Sequence, residues 1–282
     1  MKLALPHFAL SACLALAAGH GHAVAAGCTR PIIVPVPSNP PNVIVTKDAI
    51  GGLIPEMFHQ LGAKTGCTFR FSIVPRIRLE KMFENGSADL LVAATQIDRR
   101  DRQGVFVPIV EARPVLISVG HKREPITSMA DLVARRELRI ALVRGYDYGP
   151  AYQALIKTAS EQGRVYMEPD VNTVARLMAG NMADITIMPA GTFIGDISGD
   201  PRVEGLKGKL RIETVDELDW IKTGIYLSRK SLTPVDRALI ENALTDSVKS
   251  GAWWTALKKS YTPTVLKSHS RPLERDLKVS AP

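Results

Sequence analysis

The segment from Glu84 to Pro108, ENGSADLLVAATQIDRRDRQGVFVP, constrains the fold of this chain more than any other stretch. A polar turn at 85–87 precedes a short apolar run at 90–94, whose length and bounding turn are typical of a strand buried on both faces. Charged residues follow at 98–102. In an open α/β sheet, ligands bind beyond the carboxyl ends of the strands, so these charges lie where a ligand would bind. A solvated helix start with charge pairs one turn apart is the alternative.

Two strand–helix units precede this strand. Residues 31–36 are rich in β-branched side chains and predict a first strand, and a helix that begins at Gly51-Gly52 ends near Gly66. Residues 68–74 alternate apolar and polar side chains, which predicts a second strand. Apolar residues at helical spacing then continue to Gly86. The order strand, helix, strand, helix, strand predicts a βαβαβ unit with a parallel sheet.

The N-terminus predicts export. Lys2 opens a short, largely apolar segment that ends in small residues at 23–26, which is the pattern of a signal peptide. That apolar run is too short and too interrupted to span a membrane. The chain of 282 residues has a net charge of +8, but its Lys and Arg are scattered along the sequence. We therefore expect no nucleic-acid partner.

Two cysteines remain in the mature chain, because Cys13 belongs to the signal peptide. Cys28 precedes the first predicted strand and Cys67 precedes the second, so both lie at one end of the sheet if these strands are neighbours. The oxidising compartment of an exported protein favours a disulfide between Cys28 and Cys67. Two free thiols, or a lipid on Cys28, are the alternatives.

The second half of the chain repeats the design of the first. Residues 113–120 and 139–143 are typical of strands, and 145–150 lead into a helix. The amide groups at that helix start form a natural anion site, although an ordinary βα turn is the other interpretation. Residues 178–185 loosely repeat the pattern of 83–90, in which a polar turn is followed by Asp and an apolar strand. This similarity indicates two lobes of similar design.

Signatures of enzymes and metal sites are absent from the sequence. There is no G-x-S-x-G, H-E-x-x-H or G-x-x-x-x-G-K. Outside the signal peptide, His59, His121 and His269 lack the spacing of metal ligands. We therefore expect no metal, no cofactor and no catalytic residue.

The segment around the central strand carries a series of family motifs. In order, these are Gly86, Asp89, the apolar run, Thr95, Arg100 and Phe106-Val107-Pro108. The series resembles the periplasmic solute-binding proteins of polar amino acid ABC importers, the family 3 extracellular solute-binding proteins, and the resemblance covers about residues 31–263. It implies an α/β, two-lobed periplasmic binding protein fold of type II. Each lobe would be a mostly parallel sheet flanked by helices, with a two-strand hinge.

The resemblance also implies a division of the chain. The expected parts are a signal peptide at 1–26, a discontinuous lobe 1 at 27–114 plus 224–262, lobe 2 at 115–223 and a C-terminal tail at 263–282. The hinge strands are expected near 115–119 and 221–227. The tail is expected because apolar periodicity is lost after Pro263.

Arg100, Thr95 and Arg76 are the strongest site candidates. Arg76 follows the second strand as Arg100 follows the third, so both project toward one cleft, and a guanidinium can hold a carboxylate through two parallel hydrogen bonds. By resemblance, Arg100 holds the ligand carboxylate and Thr95 adds a hydroxyl. Arg99 and Arg102 are alternatives to Arg100, because this loop is shorter than the usual family form. A second guanidinium at Arg76 favours a ligand with more negative charge than a simple amino acid.

Two departures from the family affect the expected ligand. Asn39 and Asn42 stand where the family has aromatic residues, so the aromatic clamp is absent or built elsewhere. No acid follows the strand at 184–188 to meet a ligand ammonium, and Asp147, beside Tyr146, is the substitute from a neighbouring loop. The predicted ligand-binding residues are therefore Arg100, Thr95, Arg76, Asn39, Tyr146 and Asp147.

These features together predict an exported, periplasmic and monomeric binding protein. It would close on a small carboxylate-bearing solute, anionic or amino-acid-like, and deliver it to a membrane ABC permease. One alternative is an enzyme on the same scaffold, dehydratase-like, with Asp147 or Asp98 as the acid in the cleft. The other is a sensory or accessory periplasmic module.

Overall fold

The computed structural model describes residues 27–120 and 123–273. The first half contains β1 (Ile32–Val36), β2 (Ile44–Val45), β3 (Ile50–Gly51), α1 (Leu53–Thr65), β4 (Phe69–Ile73), α2 (Arg76–Asn85), β5 (Leu90–Thr95), α3 (Asp98–Asp101), β6 (Gly104–Ala112) and β7 (Val115–Val119). Then follow α4 (Met129–Ala134), β8 (Ile140–Val143), α5 (Pro150–Glu161), β9 (Val165–Glu168), α6 (Val171–Ala179), β10 (Ile185–Met188), α7 (Ala190–Ile197) and a 3₁₀ helix (Glu204–Lys209). The last elements are β11 (Leu210–Glu213), β12 (Ile221–Ser228), α8 (Pro234–Lys249), α9 (Ala252–Ser260), α10 (Pro263–His269) and β13 (Ser270–Arg271).

Lobe 1 comprises β1–β6, β12, β13 and the helices α1–α3 and α8–α10. It contains the predicted βαβαβ unit, since β1 and β4 pair in parallel and the Asp89 amide donates to the Ile33 carbonyl oxygen at 3.0 Å, which places the start of β5 beside β1. A four-stranded sheet in the order β13–β6–β12–β5 completes the lobe. All three pairs are antiparallel, because β12 runs against both β5 and β6, and β13 runs against β6.

Lobe 2 comprises β7–β11, the helices α4–α7 and the 3₁₀ helix. Its five-stranded sheet has the order β11–β7–β10–β8–β9. The pairs of β8 with β9 and with β10 are parallel, whereas β7 runs antiparallel to β10 and β11. Each lobe thus combines parallel and antiparallel pairs, because the strand that enters it, β12 in lobe 1 and β7 in lobe 2, runs against the strands of the βαβ units.

The buried apolar side chains form separate clusters in the two lobes. One cluster draws only on residues between Val115 and Leu218. The others draw on residues from Ile32 to Val110 and from Ile225 to Leu273. We therefore propose a discontinuous lobe 1, made of 27–114 and the chain from 224 onward, with lobe 2 at 115–223.

The predicted disulfide is confirmed. Cys28 and Cys67 are bonded, with their Cα atoms 4.7 Å apart. Cys67 follows α1, which ends at Gly66 in the left-handed conformation, with φ of 72°. That glycine turns the chain back toward Cys28, because left-handed backbone is favourable for glycine and costly for other residues.

The prediction of a C-terminal tail at 263–282 is wrong for residues 263–273. α10 begins with Pro263 in its first turn, and β13 pairs antiparallel with β6, with Ser270 opposite Ala112. Leu266 and Leu273 are buried in the core of lobe 1. The helix spans too few residues for its apolar periodicity to be recognised in the sequence.

The described helices are all too short or too polar to cross a membrane. The predicted signal peptide at 1–26 lies outside the described residues, as do His121 and residues 274–282.

Candidate functional site

A cavity of about 160 Å³ lies between the two lobes, and we call it the inner cavity. All six residues that the sequence predicts as ligand-binding line it: Asn39, Arg76, Thr95, Arg100, Tyr146 and Asp147. A wider outer cavity of about 850 Å³ adjoins it, and Arg76 and Tyr146 line both. The structure therefore brings the predicted site together in one cleft.

The topology explains why these residues meet. Arg76 follows β4, Thr95 ends β5, and Asp147 follows β8. Each of these positions is the carboxyl end of a strand in a βαβ unit, where the loops of an α/β sheet form a crevice. The two lobes place these ends face to face.

Arg100 has no free hydrogen-bond donor in this arrangement. Its side chain is 2% exposed. Nε and Nη2 donate to the Glu80 carboxylate, Nη1 donates to both the carbonyl and the hydroxyl of Thr95, and Nη2 also donates to the Gly145 carbonyl at 3.4 Å. Arginine has five N–H groups, and all five have acceptors. These contacts leave Arg100 without a spare donor for a carboxylate.

Arg76 is the guanidinium that keeps a donor for a ligand. Nε and Nη2 donate to Glu80 at 3.1 and 2.8 Å, and Nη1 donates to the carbonyl oxygens of Val92 and Ala93. One N–H of Nη2 has no acceptor among the described residues. Arg76 lines both cavities.

Glu80 is a site residue that the sequence patterns did not indicate. Its side chain is 4% exposed and bridges Arg76 and Arg100. Burial acts to raise the pKa of Glu80, but the two guanidinium groups outweigh it and hold the pKa below its usual value. Two buried cations and one buried anion leave a net charge of +1. A spacing of four residues from Arg76 was the available signal, because such residues are neighbours on a helix.

The neighbouring arginines Arg99 and Arg102 are not cleft residues. Arg99 is 41% exposed and pairs with Glu84 and, from the outer side of the cluster, with the buried Glu80. Arg102 is exposed and lines neither cavity. The register of the short loop expected from the sequence, with Arg100 turned inward, is therefore the one in the structure.

Thr95 and Asp147 connect the lobes directly. The Thr95 hydroxyl donates to the Asp147 backbone carbonyl at 2.6 Å. The Asp147 carboxylate accepts from the Gly149 amide at 3.0 Å, at the start of α5. Asp147 thus orients its own loop, and only its second carboxylate oxygen is left to meet a ligand ammonium.

Aromatic side chains reach the inner cavity from unexpected elements. Asn39 and Asn42 bond to each other, with Asn42 Nδ2 donating to Asn39 Oδ1 at 3.3 Å. The rings come from the loop of lobe 2 and from the C-terminal part of lobe 1, and they are Tyr146, Tyr148, Trp253 and Tyr261. Burial raises the pKa of Tyr146, so its phenol stays neutral at physiological pH. The aromatic residues of the cleft therefore come from elements other than the loop that contains Asn39 and Asn42.

The outer cavity holds two buried acceptors without partners. Asp196 Oδ2 and Asn172 Oδ1 have no hydrogen-bond partner among the described residues. Burial and the like charge of Asp170 raise the pKa of Asp196 to about 8. Asp196 is consequently protonated at neutral pH and can donate a hydrogen bond. No group of three or more His, Cys, Asp or Glu in 27–120 and 123–273 could hold a metal ion.

Solved structures share this architecture at low sequence identity. The arginine-, lysine-, histidine-binding protein ArtJ from Geobacillus stearothermophilus matches 84% of this chain and 99% of its own, with a TM-score of 0.67 and 15% identity. A mutant of ArgBP from T. maritima matches 82% and 94%, with a TM-score of 0.64 and 16% identity. A histidine kinase sensor domain with similarity to periplasmic binding proteins matches 83% and 96%, with a TM-score of 0.63 and 16% identity. No protein-family model and no curated protein matches the sequence.

The chain has the two-lobed fold of periplasmic binding proteins. Within this fold, glycines of lobe 2 allow the lobes to approach closely. A Cβ at Gly195 would overlap the Pro40 carbonyl oxygen, and one at Gly191 would overlap the His269 ring. Gly145, with φ of 89°, would place a Cβ 3.1 Å from the backbone of α2. The arrangement is therefore a closed one, because lobe 2 contacts lobe 1 at each of these positions.

Proposed function

We propose that this protein is an exported, periplasmic solute-binding protein that closes on a small carboxylate-bearing solute and delivers it to a membrane ABC importer. The observation that supports this most directly is the meeting of all six predicted residues around the inner cavity, beside a buried cluster of net charge +1. Binding between two lobes stabilises the closed state through contacts with both.

We assign the direct contact with the carboxylate to Arg76. Its Nη2 has the remaining N–H, whereas the donors of Arg100 are all engaged. Arg100 instead supplies charge and holds Thr95 in place through two hydrogen bonds from Nη1. Tyr146, Asn39 and the free carboxylate oxygen of Asp147 complete the polar lining.

The net charge of the cluster also indicates which solutes should bind poorly. Glu80 offsets one of the two guanidinium groups, so the cluster complements a single negative charge. ArtJ is described as an arginine-, lysine-, histidine-binding protein. A cationic side chain near Arg76 and Arg100 would meet like charge, so we propose a solute without net positive charge.

A ligand screen on the mature chain tests this function. Thermal unfolding is followed with small carboxylates and with the matched carboxamides, and the products are analysed after incubation. We expect carboxylates to stabilise the protein, by about 2.7 kcal/mol at a hundredfold excess over Kd, and to be recovered unchanged. Stabilisation by carboxamides alone, or conversion of the solute, would contradict the proposal.

A sensory role is the second candidate, because one similar structure is a histidine kinase sensor domain. Uptake of a labelled ligand by cells with and without the gene separates the two roles. Importer delivery requires that uptake is lost without the gene. Unchanged uptake with a changed transcriptional response would support sensing.

A further inference from the structure

The C-terminal part of lobe 1 forms one wall of the inner cavity. Trp253 and Leu257 of α9 line it, together with Tyr261 and His269. Trp253 is held in place by Phe58, on whose ring it packs edge to face with centroids 6.4 Å apart. The wall is thus a fixed aromatic surface that faces the same cavity as Arg76.

Trp253 brings a hydrogen-bond donor that the described residues do not use. The residue is 5% exposed. Its Nε1 is buried and has no acceptor among residues 27–120 and 123–273. Buried polar groups in proteins nearly always have partners, and a buried indole N–H usually finds one. An acceptor carried by the occupant of the cavity would satisfy this group.

The size and charge of the cavity restrict the occupant further. A dry cavity of roughly 150 Å³ lined by apolar side chains accommodates benzene, and the inner cavity measures about 160 Å³. Ile54, Ile109 and Ile225 add apolar side chains to its lining. The buried arginine cluster offers one net positive charge. These properties fit one ring and one carboxylate.

We propose, on the basis of the solute-binding function above, that the solute is a single-ring monocarboxylate that carries a hydrogen-bond acceptor bound by Trp253 Nε1. The carboxylate lies against Arg76, and the ring lies against the aromatic wall. Trp253 is then a specificity-determining residue, because it distinguishes ring acids with an acceptor from those without.

Calorimetry with defined probes tests this assignment. The mature protein is titrated with benzoate, the three monohydroxybenzoates, succinate and arginine. We expect the ring acids to bind, and at least one hydroxybenzoate to bind more tightly than benzoate. The Trp253→Phe variant keeps the ring and removes the N–H. It should reduce the preference for that hydroxybenzoate over benzoate by about 2- to 12-fold, as expected for the loss of one neutral hydrogen bond.

Trp254→Phe is the matched control, because Trp254 is half-buried on the same helix and does not line the inner cavity. The preference of Trp254→Phe for that hydroxybenzoate over benzoate should equal that of the parent. An unchanged preference in Trp253→Phe, or an equal loss in Trp254→Phe, overturns the role of Trp253. If succinate or arginine binds and the ring acids do not, the ring assignment is wrong while solute binding stands. If no member of a broad carboxylate panel binds, the proposed function itself fails.

Discussion

Replacing Glu80 by Gln tests whether the buried arginine cluster is held together as described. Glu80 is 4% exposed and accepts five hydrogen bonds, two each from the buried Arg76 and Arg100 and one from the partly exposed Arg99. The Glu80→Gln substitution keeps the shape of the side chain and removes its charge. Two buried guanidinium groups are then left without an anion. Breaking a buried pair by removing one partner typically costs 3–5 kcal/mol, so we expect a loss of about that size in the free energy of unfolding.

Glu84→Gln provides the control in the same helix. Glu84 is 29% exposed and pairs with Lys81 and Arg99, which are themselves exposed. Exposed pairs contribute up to about 1 kcal/mol, so this variant should be nearly as stable as the parent. Urea unfolding of the three proteins is the assay.

A bound carboxylate should restore part of the stability of Glu80→Gln. The net charge of the cluster rises from +1 to +2 in this variant, and an anionic ligand replaces the missing carboxylate. The variant should therefore gain more stability from a carboxylate ligand than the parent does. Equal stability of the Glu80 and Glu84 variants would refute the description of the cluster.

Further predictions concern closure, pH and the disulfide. Gly195→Ala should weaken ligand binding at least tenfold in calorimetry, because its Cβ would overlap the Pro40 carbonyl oxygen and hinder closure. The radius of gyration of this variant with ligand should be larger than that of the parent. Gly199→Ala, with open space around it, should bind like the parent. Asp196, with a pKa of about 8, keeps a proton in the folded state that the unfolded state releases near pH 4. The free energy of unfolding should therefore fall by about 1.4 kcal/mol for each pH unit as the pH rises between these values. Asp196→Asn should remove that slope in urea unfolding. Reduction of the Cys28–Cys67 bond should cost about 2–4 kcal/mol, and thiol counting on the denatured, unreduced mature protein should find none free.

Local patterns in the sequence were sufficient to predict β1, β4, β5, β7, β8 and β10 and the position of the cleft, but not β6, β9 or β11. The apolar run at 90–94 between turn residues is a strand in the structure, and the loops after β4, β5 and β8 meet as the topology requires. The segment 263–273 was mistaken for a tail because α10 and β13 are short. Their structure depends on contacts with β6 and the core of lobe 1, which are distant in sequence.

The partners of the site residues could not be predicted from sequence. Arg100 lies at the cleft, as a position just after β5 indicates, but its hydrogen bonds with Glu80 depend on how α2 and α3 are brought together. Trp253 has the spacing of a core residue, and it is one, since it packs on Phe58. Its position at the inner cavity depends on how α9 packs in lobe 1. No local sequence pattern predicts that packing.

The affinity of the Arg76→Gln variant for a carboxylate, relative to the matched carboxamide, tests the central claim most directly. Calorimetry gives this ratio for the parent and for the variant, in which Glu80 keeps Arg100 as its partner. Loss of one partner of a desolvated charge pair costs about 2–5 kcal/mol, so the preference for the carboxylate should fall by at least about 30-fold. A preference equal to that of the parent would contradict the account, because the carboxylate would then be held by another group.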